Sequence, residues 1–347
     1  MKFDVFLPSL LVSPDWFADA APPRLPAIET LLARGVPGIG GEWPGALLSA
    51  IGVSDVASAR AIAAFAALGD GVVTGTQGWL LAEPAHFQAD RDTVQLFGSS
   101  HLDITTSEAA HLIDALNRNF ADRGLAFSCG ASGNWYVDCN AAELPLTTPI
   151  RTAQRGGVFE KLPQSRGKVN WKAIQNEAQM LFHSHAVNEA REAAGKMPIN
   201  GLWFWGEGIL PSPPIALNPY VVFGDSALAN GVAKWGKARF APLTQLSFAD
   251  PTSPANHNLV VISALERFHE RGDVNAWIEA VGQLELQIFA PLLASLAADR
   301  VEQVVLTLPR ARDSLVVTID AQALRGLSGW WKSLTQKPQP FVGFSLA

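Results

Sequence analysis

MLFHSHAVNEAREAAGKMPINGLWFWGEGILP, residues 180–211, decides how the rest of the chain is read. The stretch begins inside a helix. Trp171, Ile174, Ala178 and Leu181 recur at helical spacing behind Asn170, whose side chain suits an N-cap. Gly195 suits the position just past the helix, because glycine enters the left-handed region without a Cβ clash, and Lys196 suits the negative helix end. The period then changes. Leu202-Trp203-Phe204-Trp205 reads as a buried strand of a central sheet, cut off by Gly206-Glu207-Gly208 and a proline-rich run. Four large apolar residues in a row suit a sheet covered on both faces, with both indole N–H groups satisfied. Ligands of α/β sheets sit beyond the carboxyl ends of strands, which directs attention to residues 206–208. A core strand followed by an ordinary loop is the competing reading.

The chain has 347 residues, 48% of them hydrophobic, enough for a large core in one big domain or two. A net charge of −6 without a basic cluster argues against nucleic acid as a main partner. No apolar run approaches the roughly 20 residues of a membrane span. Residues 5–12 are apolar and precede Ala18-Asp19-Ala20, but Asp4, Pro8 and Asp15, with only Lys2 ahead of them, argue against a signal peptide. The two cysteines, Cys129 and Cys139, lack a metal-binding spacing and point to a reducing compartment, so the expected location is cytoplasmic.

Working outward, residues 2–7 read as a first strand and 26–34 as a helix ended by Gly35. The glycine-rich residues 35–45 lack the Lys-Ser/Thr ending of a phosphate loop and read as a plain loop. Residues 56–68 read as an alanine-rich helix and 77–82 as a strand. Thr105-Thr-Ser-Glu108 is a capping box opening a helix to Phe120, with Leu112, Leu116 and Phe120 on one face. Residues 125–129 and 134–139 read as a hairpin across Gly130-Ala-Ser-Gly133, which sets Cys129 opposite Asn134 and away from Cys139. Lys161, Arg166 and Lys168 fall in a surface segment, read as a solvated loop before an anion clamp. Residues 226–235 and 274–296 read as helices, 259–263, 301–306 and 315–319 as strands, and a short helix holds Trp330 and Trp331. His183 and His185 point to different faces of a continuous helix, whereas His185, Asn188 and Arg191 lie closer to one face. That trio could hold an anion through charge-assisted hydrogen bonds or tie the helix to the following loop, and both readings stand.

The pattern His185-x-x-Asn188-x-x-Arg191-x-x-x-Gly195-Lys196-x-Pro198-x-Asn200, followed by Trp203-x-Trp205-Gly206-x-Gly208, resembles the signature of the archaeal-type, cofactor-independent phosphoglycerate mutases. The chain more particularly resembles a bacterial branch, the RpfE-type regulatory proteins. The resemblance implies an α/β fold of the alkaline-phosphatase type, a central, mostly parallel sheet with helices on both faces. Residues 1–84 and 199–347 would form this core, with a smaller α+β cap, 85–198, inserted. It further implies a ligand-binding set in the cleft between cap and core: His185, Asn188, Arg191, Lys196, Asn200, Trp205 and Glu207.

In that family the reaction moves a phosphate between the 2- and 3-hydroxyls of glycerate through a phosphoserine, held by two metal ions. Such chemistry needs several carboxylate and histidine ligands around the reacting oxygens. Where the family has a metal-binding aspartate after the first strand, this chain has Leu7-Pro8-Ser9; where it has the serine, Pro44-Gly45-Ala46. The family's Arg-Cys-Asn corresponds to Ala82-Glu83-Pro84 and its later Asp-His pair to Leu308-Pro309. His269 corresponds to one metal histidine, without an aspartate at the expected distance before it. Ser49 lies near Ala46, with nothing close in sequence to activate it. The expectation is a non-catalytic descendant without metal or cofactor and with no assigned catalytic residue. It would be a regulatory or small-molecule-binding protein whose partner is a phosphorylated small molecule or a regulatory protein, not nucleic acid or a membrane. The alternatives are an active, metal-dependent 2,3-bisphosphoglycerate-independent phosphoglycerate mutase and a plain interaction protein that uses the fold as a scaffold.

Overall fold

The computed structural model describes residues 1–17, 21–53, 60–72, 77–91, 93–154, 157–213, 220–248, 257–310 and 312–324. The short helix expected at Trp330 and Trp331 lies outside them. Among the described residues, twelve strands run in chain order: β1 (Lys2–Phe6), β2 (Val36–Gly40), β3 (Gly78–Asp90), β4 (Thr93–Phe97), β5 (Ala126–Cys129), β6 (Trp135–Cys139), β7 (Gly201–Gly208), β8 (Tyr220–Gly224), β9 (Arg239–Pro242), β10 (His257–Val261), β11 (Gln303–Pro309) and β12 (Ser314–Asp320). They form two sheets in two compact units, residues 1–51 with 213–347, and residues 52–212.

The first unit carries a seven-stranded sheet in the order β2-β12-β11-β1-β10-β8-β9. The five strands from β11 to β9 are parallel, and β12 and β2 add an antiparallel edge. This is the expected α/β class with a mostly parallel central sheet. Its strands read as buried apolar runs because helices cover them: Val5, Val260 and Leu306 share one core with Ile28, Leu31, Trp277, Val281, Phe289 and Leu292. The helix Pro26–Arg34 begins on proline, and Glu285 closes its N-terminus by accepting from Ala27 N at 2.5 Å and Ile28 N at 3.2 Å. Glu285 stands at a π-helical turn, Glu285–Phe289, which interrupts the expected long helix. That helix, Val274–Ala297, has 24 residues and is by length and composition the one described helix able to cross a membrane. Its buried face, Trp277, Val281, Phe289, Leu292 and Leu296, belongs to the core of this unit.

Residues 36–40 are a strand where the sequence reads as a plain loop. Val-Pro-Gly-Ile-Gly carries no strand period, and the partner supplies the order: β2 pairs antiparallel with β12, Pro37 opposite Val317. Proline is tolerated on an edge strand. The glycines allow the close approach, since a Cβ on Gly35 would lie 2.2 Å from Val317 Cγ1 and one on Gly40 2.7 Å from Val316 Cγ2.

In the second unit the sheet runs β4-β3-β6-β5, with β7 also on β3, and every pairing is antiparallel. The strand holding Trp203 and Trp205 therefore pairs with β3 here and is not a member of the parallel sheet. β3 does not stop near Pro84. It continues to Asp90 with Pro84 opposite Leu202, so the division at 84 falls inside a strand and residues 199–212 belong to the inserted unit. Both faces of β7 are covered, as four consecutive apolar residues require. Leu202 and Phe204 pack with Leu112, Leu116, Trp171 and Phe182 from the helices Thr106–Phe120 and Trp171–His183. Trp203 faces the other way, into a cluster with Ala85, Leu96, Ile150 and Val158. The Thr105–Glu108 capping box and the Asn170 cap are both present. The hairpin is in place one residue out of register from the expectation, with Cys129 opposite Trp135, and both thiols are free.

Candidate functional site

The helix expected to run on toward Gly195 is broken. Trp171–His183 ends at Ser184, and Ala186–Ala193 starts afresh with His185 as its N-cap, Nδ1 accepting from Val187 N at 3.2 Å. That role requires an unprotonated Nδ1. Burial first, then the charges of His111 and Arg118, hold the imidazole pKa below its ordinary 6.5, against Glu189. Asn188 sutures the break. Its Nδ2 donates to Phe182 O and to Ile199 O, both at 2.8 Å, and its Oδ1 accepts from Ile199 N at 2.9 Å. Arg191 is 2% exposed and donates to Met197 O, to Leu102 O and to Glu108 Oε1. Burial pulls the Glu108 pKa up, but the Thr105 and Arg191 hydrogen bonds outweigh it and hold the carboxyl below its usual range. Gly195 ends the helix at φ +68°, with Gly195 N on Glu192 O and Lys196 N on Arg191 O. The Lys196 side chain is exposed.

The remaining candidates also find partners inside residues 52–212. Asn200 imitates a strand residue: its side chain accepts from Phe87 N at 2.7 Å and donates to Phe87 O at 3.0 Å, prolonging the β3–β7 ladder. Trp203 Nε1 donates to Thr148 O at 2.8 Å. Trp205 Nε1 donates to Glu83 Oε2 at 3.0 Å, and Glu83 Oε1 accepts from the Ser99 hydroxyl at 2.9 Å. Glu207, 7% exposed after Gly206 at φ +73°, receives Arg60 Nε at 2.6 Å and the Thr147 hydroxyl, while Arg60 also donates to Thr147 O. The motif thus holds a helix break, a helix end and two strands in one arrangement. Glu83, Arg60, Thr147 and Glu108 complete it. Of these only Glu108 has a sequence signal, and that signal, the capping box, points to a different duty.

A second place to look is the carboxyl edge of the parallel sheet in the first unit, where ligands of such sheets gather. Leu7 to Ser9 leave β1 there, Asp225 follows β8, Ile262 and Ser263 follow β10, and Leu308 and Pro309 end β11. Leu7 and Leu308 are fully buried, and Leu7 N donates to Thr307 O. Ser9 is buried at φ +61°, and its carbonyl accepts the Trp277 indole at 2.8 Å. Asp225 is the one carboxylate among these positions. It accepts from Ser263 N at 2.7 Å, and burial raises its pKa although backbone N–H groups oppose the rise. Ala46 lies in the first turn of the helix Gly45–Ala50, with Ser49 exposed further along. His269 packs edge-on against Trp16, ring centroids 5.5 Å apart. His257 pairs with Asp4 at 2.7 Å at the opposite, amino end of the strands.

Two metal ions do not fit this donor set. Among the described residues no three His, Cys, Asp or Glu side chains form a metal-holding group. One hydrogen-bonded aspartate cannot replace the several anionic and imidazole ligands that a two-metal phosphoryl-transfer site uses.

Sequence places the chain beside one class of proteins: it is similar, at low identity, to 2,3-bisphosphoglycerate-independent phosphoglycerate mutases. It is 30% identical over 118 residues to phosphoglycerate mutase 2 of Methanothermobacter thermautotrophicus, a match spanning 33% of this chain and 29% of that protein. With the enzyme of Methanosarcina mazei it shares 22% identity over 303 residues, 78% of this chain and 74% of that protein. Among solved structures, the PH0037 protein of Pyrococcus horikoshii has the same fold, with a TM-score of 0.52 and 16% identity over 92% of this chain and 87% of that one. No protein-family model matches the chain.

Proposed function

We propose that this chain is a non-catalytic relative of the phosphoglycerate mutases, with a regulatory or small-molecule-binding role. One observation carries the reading: the carboxyl edge of the parallel sheet presents Leu7, Ser9, Leu308 and Pro309, with Asp225 the single carboxylate among these positions and already accepting from Ser263 N, and Ala46 stands where the resemblance marks a serine. An alanine methyl cannot take up a phosphoryl group, and leucine and proline side chains cannot ligate a metal. The motif that carries the resemblance supports the same reading. Asn188, Arg191, Asn200 and Glu207 direct their polar atoms to protein partners, a structural duty that survives without chemistry. The proposed ligand class, a phosphorylated small molecule, follows from the relatives' names. A regulatory protein is the other partner in keeping with the reading.

The test is elemental analysis of the purified protein beside a mutase assay with added manganese and calorimetric titration with 3-phosphoglycerate. Fewer than two bound metals per chain and no turnover, with saturable binding of 3-phosphoglycerate, is the expected result. Two metals together with turnover would overturn the reading in favour of an active mutase. Neither turnover nor binding would leave the fold as a scaffold for protein contacts and would refute the phosphorylated ligand.

A further inference from the structure

Within residues 52–212 the helix Trp171–His183 turns one stripe of its surface toward a cavity of about 220 Å³. Lys172, Gln175, Asn176 and Gln179 line it at spacings of three and four, so they stand in a row on one helix face. The facing wall is apolar, with Phe87, Val94, Val158, Phe159 and Leu162. Gly201 belongs to the lining, and a Cβ there would lie 2.5 Å from Phe87 Cε2, so the missing side chain is what lets that ring sit against the strand. The space is larger than the 150 Å³ or so that accepts a benzene ring in an engineered apolar cavity.

Two features of this space suit an occupant, and the first is costly without one. Gln175 is 7% exposed, and its Oε1 is buried without a hydrogen-bond partner. Leaving a buried carboxamide oxygen unpartnered opposes folding, and native structures contain few such atoms. The terminal torsion of glutamine is broad, so its carboxamide turns at little cost to meet a donor. Phe159 is 69% exposed at the same cavity, an aromatic ring that the protein itself does not cover.

We infer that this cavity binds a small aromatic carboxylic acid carrying a hydroxyl or N–H donor. The ring would lie on the apolar wall among Phe87, Val94 and Phe159. Its donor would satisfy Gln175, and the Lys172 ammonium would meet the carboxylate, one turn along the helix on the same face. The site lies wholly within residues 52–212 and uses none of the mutase-like positions, so it stands or falls independently of the proposed function.

The experiment is titration of the intact protein, followed by protein-observed NMR, with para-hydroxybenzoate, para-methoxybenzoate and benzoate. Para-hydroxybenzoate binds saturably, and the two acids without a donor bind about tenfold more weakly, the worth of one hydrogen bond to a buried group. Gln175→Leu removes that preference, Lys172→Met weakens all three acids, and Ala89→Trp, which fills the cavity from an exposed lining position, abolishes binding. Absence of saturable para-hydroxybenzoate binding would overturn the inference. So would equal affinity for the hydroxy and methoxy acids on the unaltered protein, a comparison that no folding defect can confuse, or binding unchanged by Ala89→Trp.

Discussion

His185 accepts the Val187 amide through Nδ1 only while that nitrogen is unprotonated. Its pKa is held below 6.5 in the folded chain, chiefly by burial. As the pH falls, the unfolded chain therefore takes up the proton first, and acid favours unfolding. Stability is unaffected above the ordinary imidazole range and drops as the pH falls through 6.5 and then through the lowered value. His185→Asn keeps an N-cap acceptor that does not titrate. Urea denaturation should show a smaller loss between neutral pH and about pH 5 in this variant than in the unaltered chain. Equal losses in both proteins would assign the acid sensitivity elsewhere. Arg191 makes a sharper case. Arg191→Ala strips the donors from Met197 O, Leu102 O and Glu108 in a buried place, and should cost about 3 kcal/mol in denaturant unfolding. Arg191→Lys should recover little, since one ammonium cannot reach three acceptors arranged around a planar fork. A loss below about 1 kcal/mol would show that these bonds are not what fixes the helix end.

Elements whose signals are local are legible in the sequence. The Thr105–Glu108 box, the Asn170 cap and the helix Pro26–Arg34 all stand where the residues place them, because a cap is decided by three or four neighbours. Elements decided by distant partners are not. Residues 36–40 become a strand because β12 offers an edge from far along the chain, and Glu285, at the start of a π-helical turn, caps another helix 257 residues away in sequence. The candidate motif shows both sides. Gly195 at its left-handed position is readable, whereas Asn200 reaching Phe87 is not. Asn200 also gives an element-scale test. Asn200→Ala leaves both Phe87 backbone groups without partners and should cost about 2 kcal/mol, whereas Asn200→Asp keeps the acceptor but loses the donor. Hydrogen exchange should quicken at Phe87 in the alanine variant. Exchange there as slow as in the unaltered chain would mean that the ladder holds without this side chain.

At the scale of the whole molecule, the two units have separate cores. One is built from Val5, Val260, Leu306 and Trp277 with their neighbours, the other from Leu80, Leu112, Trp171, Leu202 and Phe204. The second unit is one continuous stretch, residues 52–212, closed by β7 pairing back onto β3. Had residues 199–212 belonged to the parallel sheet, cutting them away would remove nothing from the inserted unit. Here it removes a strand buried on both faces, with Leu202, Trp203 and Phe204 each fully buried. Burying one such side chain is worth roughly 1.5–3 kcal/mol, so the three together approach the whole stability of a domain this size. A fragment of residues 52–212 should therefore unfold cooperatively in urea, whereas a fragment of residues 52–198 should bind hydrophobic dyes and show no cooperative transition. Equal cooperativity in both fragments would show that β7 is dispensable to this unit. The bound at 199 would then be the better one despite the pairing with β3.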